Sequence, residues 1–447
     1  MIGTGSVPQF RPPGGFTGNI PPQGGQGTDT QQPPQRGAIG GFGGLGSLLG
    51  AQSDSALGTP MSGGVAAHMQ KMNSASRTEL SPQALAYLNP SFEQAKSRLT
   101  DSIEKPHPRS DIQLTEKHQV AVLDGFMGGT VKNPAHGFGV AEVLREGTGL
   151  ERDQMALVQD RMPSFGIPTP QSLLTAPGDI SASERVDAYI ETMIADALSQ
   201  TNTALEGIAN QDAPNLKGVN YSTSGNALNG FLGMNKTAFE RGPNGQKQLT
   251  PEGRVLFEGL GIEPNLTSDN MRLFAERGTA RYQKVQEESP LVQSQLERHE
   301  AVSQQLSDQG VHYTVAAGND GGVIDKYRSA GVAMNDQADD NIFANEHNVT
   351  VGSLDTQGTA NPNDDTVAAH SVTDPEVDFL ANGVDRTVDM FGTEHTVSGT
   401  SYAAPDINAR LVNLSKQNPQ LSTSAIQNLL KNSAGPAIDG SNISAIR

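Results

Sequence analysis

A serine hydroxyl becomes a nucleophile when a neutral imidazole takes its proton and a carboxylate fixes that imidazole's tautomer. The chain of 447 residues offers each group in a suitable setting. Ser401 stands in TVSGTSYAAP, where Gly399, Ala403 and Ala404 let backbone and neighbouring elements come close. A helix entered there presents free amides and a positive dipole end to nearby negative charge. Pro405 is expected in the first turn of that helix, where a missing N–H costs least. His136 opens HGFGVAEVLRE, Asp124 closes QVAVLDG, and Asn319 closes VAAGN. The Asn319 amide could donate to a developing oxyanion alongside the Ser401 backbone N–H.

These residues need a scaffold, and the pattern around them supplies one. QVAVLDG is an apolar run ending on an acid and a glycine, the form of a buried strand. His136–Glu146 reads as a helix and Met155–Gln159 (MALVQ) as a second strand. Ser181 and Glu184 form a capping box ahead of Val186, Tyr189, Ile190, Met193, Ile194, Ala197 and Leu198 at helical spacing. A strand over Lys217–Ser222, a helix over Pro290–Gly310 and strands over Val311–Asn319 and Asn348–Asp355 follow. Strands alternating with helices imply right-handed crossovers and a mainly parallel central sheet flanked by helices, an α/β fold in three layers. In such sheets the chemistry gathers at the carboxyl ends of the strands.

With those elements in place, the chain resembles the subtilisin-like serine proteases (subtilases). VAVLDG is similar to that family's aspartate strand, HGFGVA to its histidine helix, VNYSTSG to its substrate-binding strand, TVAAGN to its oxyanion asparagine and SGTSYAAP to its serine turn. NVTVGSLDTQG, PEVDFLANG and the closing LVNLSKQNPQLSTSAIQNLLKNSA continue the likeness, which covers roughly residues 119–434. The resemblance implies a subtilisin-like fold and a serine endopeptidase acting through an acyl-enzyme. Ser401 would be the nucleophile, His136 the general base and then acid, Asp124 the orienting carboxylate and Asn319 the oxyanion donor. It also implies that Gly218, Val219, Asn220, Tyr221 and Ser222, continuing to Gly225, pair with an extended substrate, and that Ala316, Ala317 and Gly318 face them across the specificity pocket.

The chain departs from the family pattern in places. Phe126 and Phe138 replace smaller residues expected after Asp124 and His136, and that base follows that acid by only twelve positions. Asp160 is the alternative carboxylate, with Asp124 preferred on motif context. APDIN after Ser401 lacks the family's usual histidine and glycine. Residues 226–288 read as an insertion with helices over 250–260 and 268–276, either a surface excursion or a lid over the cleft.

The ends and the composition narrow the function further. Residues 1–75 are rich in Gly, Pro and Gln and read as a disordered tail; residues 76–118 form a short helical collar, with helices opening at Ser81 and Ser91; residues 119–447 make the peptidase domain. No folding pro-domain like the family's is visible before Gln119. The net charge of -18 and the lack of a basic stripe argue against a nucleic-acid partner or an anionic membrane surface, leaving protein or peptide substrates. With no cysteine there is no disulfide framework and no thiolate ligand. His312, His347, His370 and His395 show no second ligand at metal spacing, so no metal site and no required cofactor is expected. Calcium is possible at Asp336, Asp339 and Asp340 or at Asp364 and Asp365, although solvated loop is preferred there. No Sec-type signal or membrane-spanning run is visible, so the expected location is cytoplasmic or reached by a specialised, type III-like export route that the tail's composition resembles. The competing reading is a catalytically inactive binding module, such as a secreted bacterial effector, that keeps the groove without turnover.

Overall fold

The computed structural model describes residues 89–127, 134–162, 167–335, 337–373, 376–435, 438 and 443–447. The expected tail, the first collar helix over 81–88 and Asp336 lie outside the described residues. The second collar helix, α1 (Phe92–Glu104), has its capping box at Ser91 and Gln94. It buries Phe92, Ala95 and Leu99 against Leu173 and Ala188, so it is packed into the domain that follows.

Strand β1 (Val120–Asp124) is buried throughout, as a strand covered on both faces must be. It pairs in parallel with β2 (Met155–Gln159) on one side and β3 (Gly218–Tyr221) on the other. Between them come α2 (His136–Thr148), the short α3 (Ser172–Thr175) and α4 (Ala182–Ala209), whose capping box at Ser181 and Glu184 forms as read. After β3 follow α5 (Ala227–Ala238), a hairpin of β4 (Phe239–Arg241) and β5 (Lys247–Leu249), α6 (Pro251–Gly259), α7 (Ser268–Glu288) and α8 (Pro290–Asp308). The chain continues through β6 (His312–Ala316), α9 (Gly321–Ser329), β7 (Val349–Asp355), β8 (Thr366–Val367) and β9 (Phe379–Asn382). A second hairpin, β10 (Arg386–Met390) with β11 (Thr393–Val397), leads to α10 (Thr400–Gln417), α11 (Thr423–Ser433) and β12 (Ser444–Ile446).

The sheet runs β12-β9-β7-β6-β3-β1-β2 with β8 beside β7, eight strands of which only β8 is antiparallel. From β1 the chain winds one way to β2; from β3 it winds the other way to β12. The crevice at that reversal, at the carboxyl ends of β1 and β3, is where such folds place ligands. The strand expected over 311–319 stops at Ala316, leaving Ala317–Asn319 as the turn beyond it.

The period of two along each strand decides which side chains meet which helices. Ala121, Leu123, Val219, Tyr221, Tyr313 and Val315 join the large cluster that also contains residues of α4 and α8. Val120 and Val122 turn the other way, onto Val140, Leu144, Ala409 and Val412 of α2 and α10. Asp124 continues the second set and therefore emerges on the face of α2 and α10.

The segment read as an excursion or lid packs apolar side chains into the core. Phe231, Met234, Phe257, Phe274 and Tyr282, from α5, α6 and α7, are buried in the same cluster as Leu123 and Val219. The Phe257 and Phe274 rings stack at 4.7 Å. A Cβ on Gly230 would lie 1.9 Å from the Tyr282 ring, so α5 and α7 approach closely because that residue is glycine. Among the described residues no helix is long and apolar enough to cross a membrane.

Candidate active site

His136 is the first residue of α2, and the short connection from β1 places it over Asp124. Gly137 N–H donates to the Gly125 carbonyl at 3.0 Å, tying the helix start to the strand end. The Phe126 ring covers Gly137 so closely that a Cβ there would stand 2.6 Å from it. Phe138 then packs edge-on against Phe126 at 5.3 Å and Phe391 at 5.0 Å, so the two unusual aromatics wall this end of the site.

The His136 Nδ1 lies 2.9 and 3.1 Å from the two carboxylate oxygens of Asp124. A carboxylate only accepts, so neutral His136 keeps its proton on Nδ1 and offers the lone pair of Nε2. Asp124 is 2 % exposed and also accepts from Gly125 N–H at 2.6 Å. Burial disfavours the imidazolium, but the charge and hydrogen bond of Asp124, with the charge of Asp160 added, outweigh that and hold His136 above the ordinary histidine value. Asp160 itself accepts from Gln159 Nε2 and Arg161 N–H, and burial pushes its carboxyl up. The histidine's direct partner is Asp124; Asp160 acts on it through charge.

Ser401 is the second residue of α10 and is 6 % exposed. Both of its chain neighbours are held. Tyr402 lays its ring against that of His136 at 5.4 Å, and Gly139 leaves room for it, since a Cβ there would be 3.1 Å from the Tyr402 ring. Thr400 donates to Asn319 Oδ1 from its N–H at 2.9 Å and from its hydroxyl at 3.1 Å. A backbone N–H can only donate, which fixes the amide orientation and leaves Asn319 Nδ2 as the donor on the side of Gly399. Gly399, the N-cap, has φ 149° and carries no Cβ to crowd that nitrogen.

Pro405 departs from expectation. It lies inside the helix, beyond the first turn. Having no N–H, it cannot donate to the carbonyl of Ser401 four residues before it. The Ser222 hydroxyl does so instead, at 2.7 Å. Sequence reasoning missed this role for Ser222, and the proline four residues past the serine was the available signal.

The proposed substrate strand also needs correction. Gly218, Val219, Asn220 and Tyr221 are buried inside the sheet, paired with β1 on one edge and β6 on the other, so their backbone cannot pair with a peptide. Ser222 is buried with its hydroxyl on the Ser401 carbonyl. The stretch past the strand, Thr223–Gly225, is what reaches the crevice, and there the Gly225 carbonyl already accepts from Ile342 N–H. Ala316 pairs with Val351 in the sheet, Ala317 donates its N–H to the Val351 carbonyl, and Gly318 donates to the Thr400 hydroxyl and accepts from Val372. Ser224 faces Gly318: a Cβ on that glycine would lie 3.0 Å from the Ser224 hydroxyl. A base, a hydroxyl at a helix entry and an oriented amide donor thus share one crevice, the combination that acyl transfer uses.

The other histidines are placed individually. His312 is buried under α10 with Nε2 2.6 Å from the Ser415 hydroxyl, and burial lowers it to about 4. His347 does gain neighbours that the spacing did not show: Glu300, Glu346 and His347 bring ligand atoms within 4.8 Å of one another.

Residues 266–444 match the model of the Subtilase family. Serine protease AprX of Bacillus subtilis (strain 168) is 32% identical over 190 residues, covering 38% of this chain and 38% of that protein. The chain therefore spans well under half the length of this relative. Among solved structures, the prenylagaramide maturation protease PagA is similar at 15% identity and a TM-score of 0.36, over 78% of this chain and 90% of that one. A cold adapted subtilisin-like serine proteinase is similar at 15% identity and a TM-score of 0.33, over 78% and 96%. The family match contains Asn319 and Ser401; Asp124 and His136 lie before it and rest on their geometry.

Proposed function

We propose that this chain, which matches the Subtilase family model over residues 266–444, is a serine endopeptidase that hydrolyses peptide bonds through an acyl-enzyme. The observation that carries the reading is the double approach of the Asp124 carboxylate to His136 Nδ1, which leaves Nε2 as a base while the ring rests on the residue next to Ser401. In the first step Nε2 takes the Ser401 proton as the oxygen attacks the substrate carbonyl. Asp124 stabilises the imidazolium that forms, and Asn319 Nδ2 with the Ser401 N–H receives the oxyanion. The imidazolium then gives its proton to the leaving amine, and water hydrolyses the ester by the same route in reverse.

The substrate would be an extended protein or peptide segment lying along Thr223–Gly225, with its P1 side chain directed between Ser224 and Gly318. The Ser224 hydroxyl narrows that passage, which favours a small P1 residue.

The test is labelling with a fluorophosphonate probe, which phosphonylates activated serines. Wild-type protein should take one label, and folded Ser401→Ala and His136→Ala should take none. A folded wild type that stays unlabelled would leave the crevice as a binding groove only.

A further inference from the structure

The bond from Ser222 to the Ser401 carbonyl is the end of a longer series. Asn220 Nδ2 donates to Ser222 Oγ at 2.8 Å, and Thr314 Oγ1 donates to Asn220 Oδ1 at 2.9 Å. Asn408 Nδ2, from the third turn of α10, reaches Thr314 Oγ1 at 3.1 Å and the carbonyls of Val219 and His312 at 3.0 and 3.1 Å. Asn220, Thr314 and Asn408 are fully buried, and Ser222 is 1 % exposed. Turning the Asn408 amide over would set its oxygen against two carbonyls, so its orientation is fixed. Every link therefore runs in one direction, from Asn408 through Thr314, Asn220 and Ser222 to Ser401.

The strand period explains how the series arises. Gly218, Asn220 and Thr314 all point to the face under α10, and Asn220 and Thr314 sit side by side in the register of β3 and β6. Gly218 makes room for Asn408, since a Cβ there would stand 2.3 Å from the Asn408 oxygen. The chain thus places a polar stripe where the interior would otherwise be apolar, and a buried stripe of this kind holds its members rigidly when each donor has its acceptor.

We infer that this one-way chain of donors is a positioning device for the nucleophile. It replaces the backbone bond that Pro405 removes, and it anchors the Ser401 carbonyl to the centre of the sheet through Ser222. The start of α10 that carries the Ser401 hydroxyl and N–H is thereby fixed between Thr400, bonded to Asn319, and Tyr402, whose ring packs on His136. Ser222, Asn220, Thr314 and Asn408 are positioning residues, acting through Ser401 without touching substrate. The inference rests on the reading of Ser401 as nucleophile.

The experiment measures fluorophosphonate inactivation as a function of probe concentration, separating the limiting rate constant from probe affinity. Ser222→Ala should lower the limiting rate about tenfold or more with affinity unchanged, because small misplacement of a reacting group is costly. Ser222→Thr, which keeps the hydroxyl, should recover most of that rate. A merely structural role would lower the melting temperature without separating rate from affinity. If Ser222→Ala does not fold, Thr314→Val breaks the series two residues beyond Ser222, and a wild-type rate in that folded variant would overturn the inference. A wild-type rate in folded Ser222→Ala would do the same. An unlabelled wild type would instead defeat the nucleophile reading, so the two failures are distinct.

Discussion

In the proposed mechanism His136 must be neutral to accept a proton, and its carboxylate neighbours hold its pKa above the ordinary 6.5. Activity should therefore rise with pH along a limb centred above 6.5. Asp160→Asn removes one of the charges that favour the imidazolium while leaving the Asp124 contact in place. The limb should then move to lower pH in a profile of kcat/KM, and an unmoved limb would refute the assigned charge effect. At the opposite wall, Ser224→Gly should widen the passage beside Gly318. The ratio of kcat/KM for P1 Phe over P1 Ala should rise by about tenfold, and an unchanged ratio would place P1 elsewhere. The four candidate residues were legible as candidates because each sits at an element boundary with a distinctive neighbourhood: an acid after VAVL, a histidine at a helix start, an asparagine after VAAG, a serine before YAAP. The hydroxyl of Ser222 was not legible in the same way, because its acceptor lies 179 residues further along the chain.

The elements follow the same division. The strands and the long helices were readable from uninterrupted apolar runs and capping residues, signals that act within a few residues. What the sequence did not reveal was which strand edges remain open. β3 was expected to offer its backbone to a peptide, but pairing with β6, whose residues lie far away in sequence, closes that edge. A contact equally distant in sequence buries His312, the first residue of β6, under α10, where burial lowers its pKa to about 4. The folded state then holds His312 neutral in a range where the unfolded chain, near 6.5, takes up a proton. Its contribution to stability is present above 6.5 and is lost as pH falls towards 4, a change of about 3 kcal/mol at most. The denaturation midpoint should fall across that window; buried His299, also lowered to about 4, contributes over the same range, so His312→Gln should reduce the dependence by about half. A variant with the wild-type slope would show that His312 is not the group responsible.

At the scale of the whole molecule, α5, α6 and α7 are part of the core that carries the crevice. Composition could not show this: the stretch is polar enough on its outer faces to read as an excursion, and only packing places Phe231, Phe257 and Phe274 with Leu123 and Val219. Phe257→Ala should cost about 3–5 kcal/mol in urea unfolding monitored by fluorescence or circular dichroism. A loss below about 1 kcal/mol would return the segment to the status of a peripheral lid. The net charge of -18 names no substrate, which is why the proposed peptide has to be identified through the crevice itself.

The account's central claim is that Ser401, activated by His136 and Asp124, forms an acyl-enzyme. The most direct measurement is rapid mixing of the full chain with a chromogenic ester of a peptide with a small P1 residue. The account predicts a burst of leaving group approaching one equivalent per chain, followed by slower steady turnover, with the burst abolished in Ser401→Ala. Turnover that survives in Ser401→Ala, or a folded wild type that releases nothing from any such ester, would contradict it.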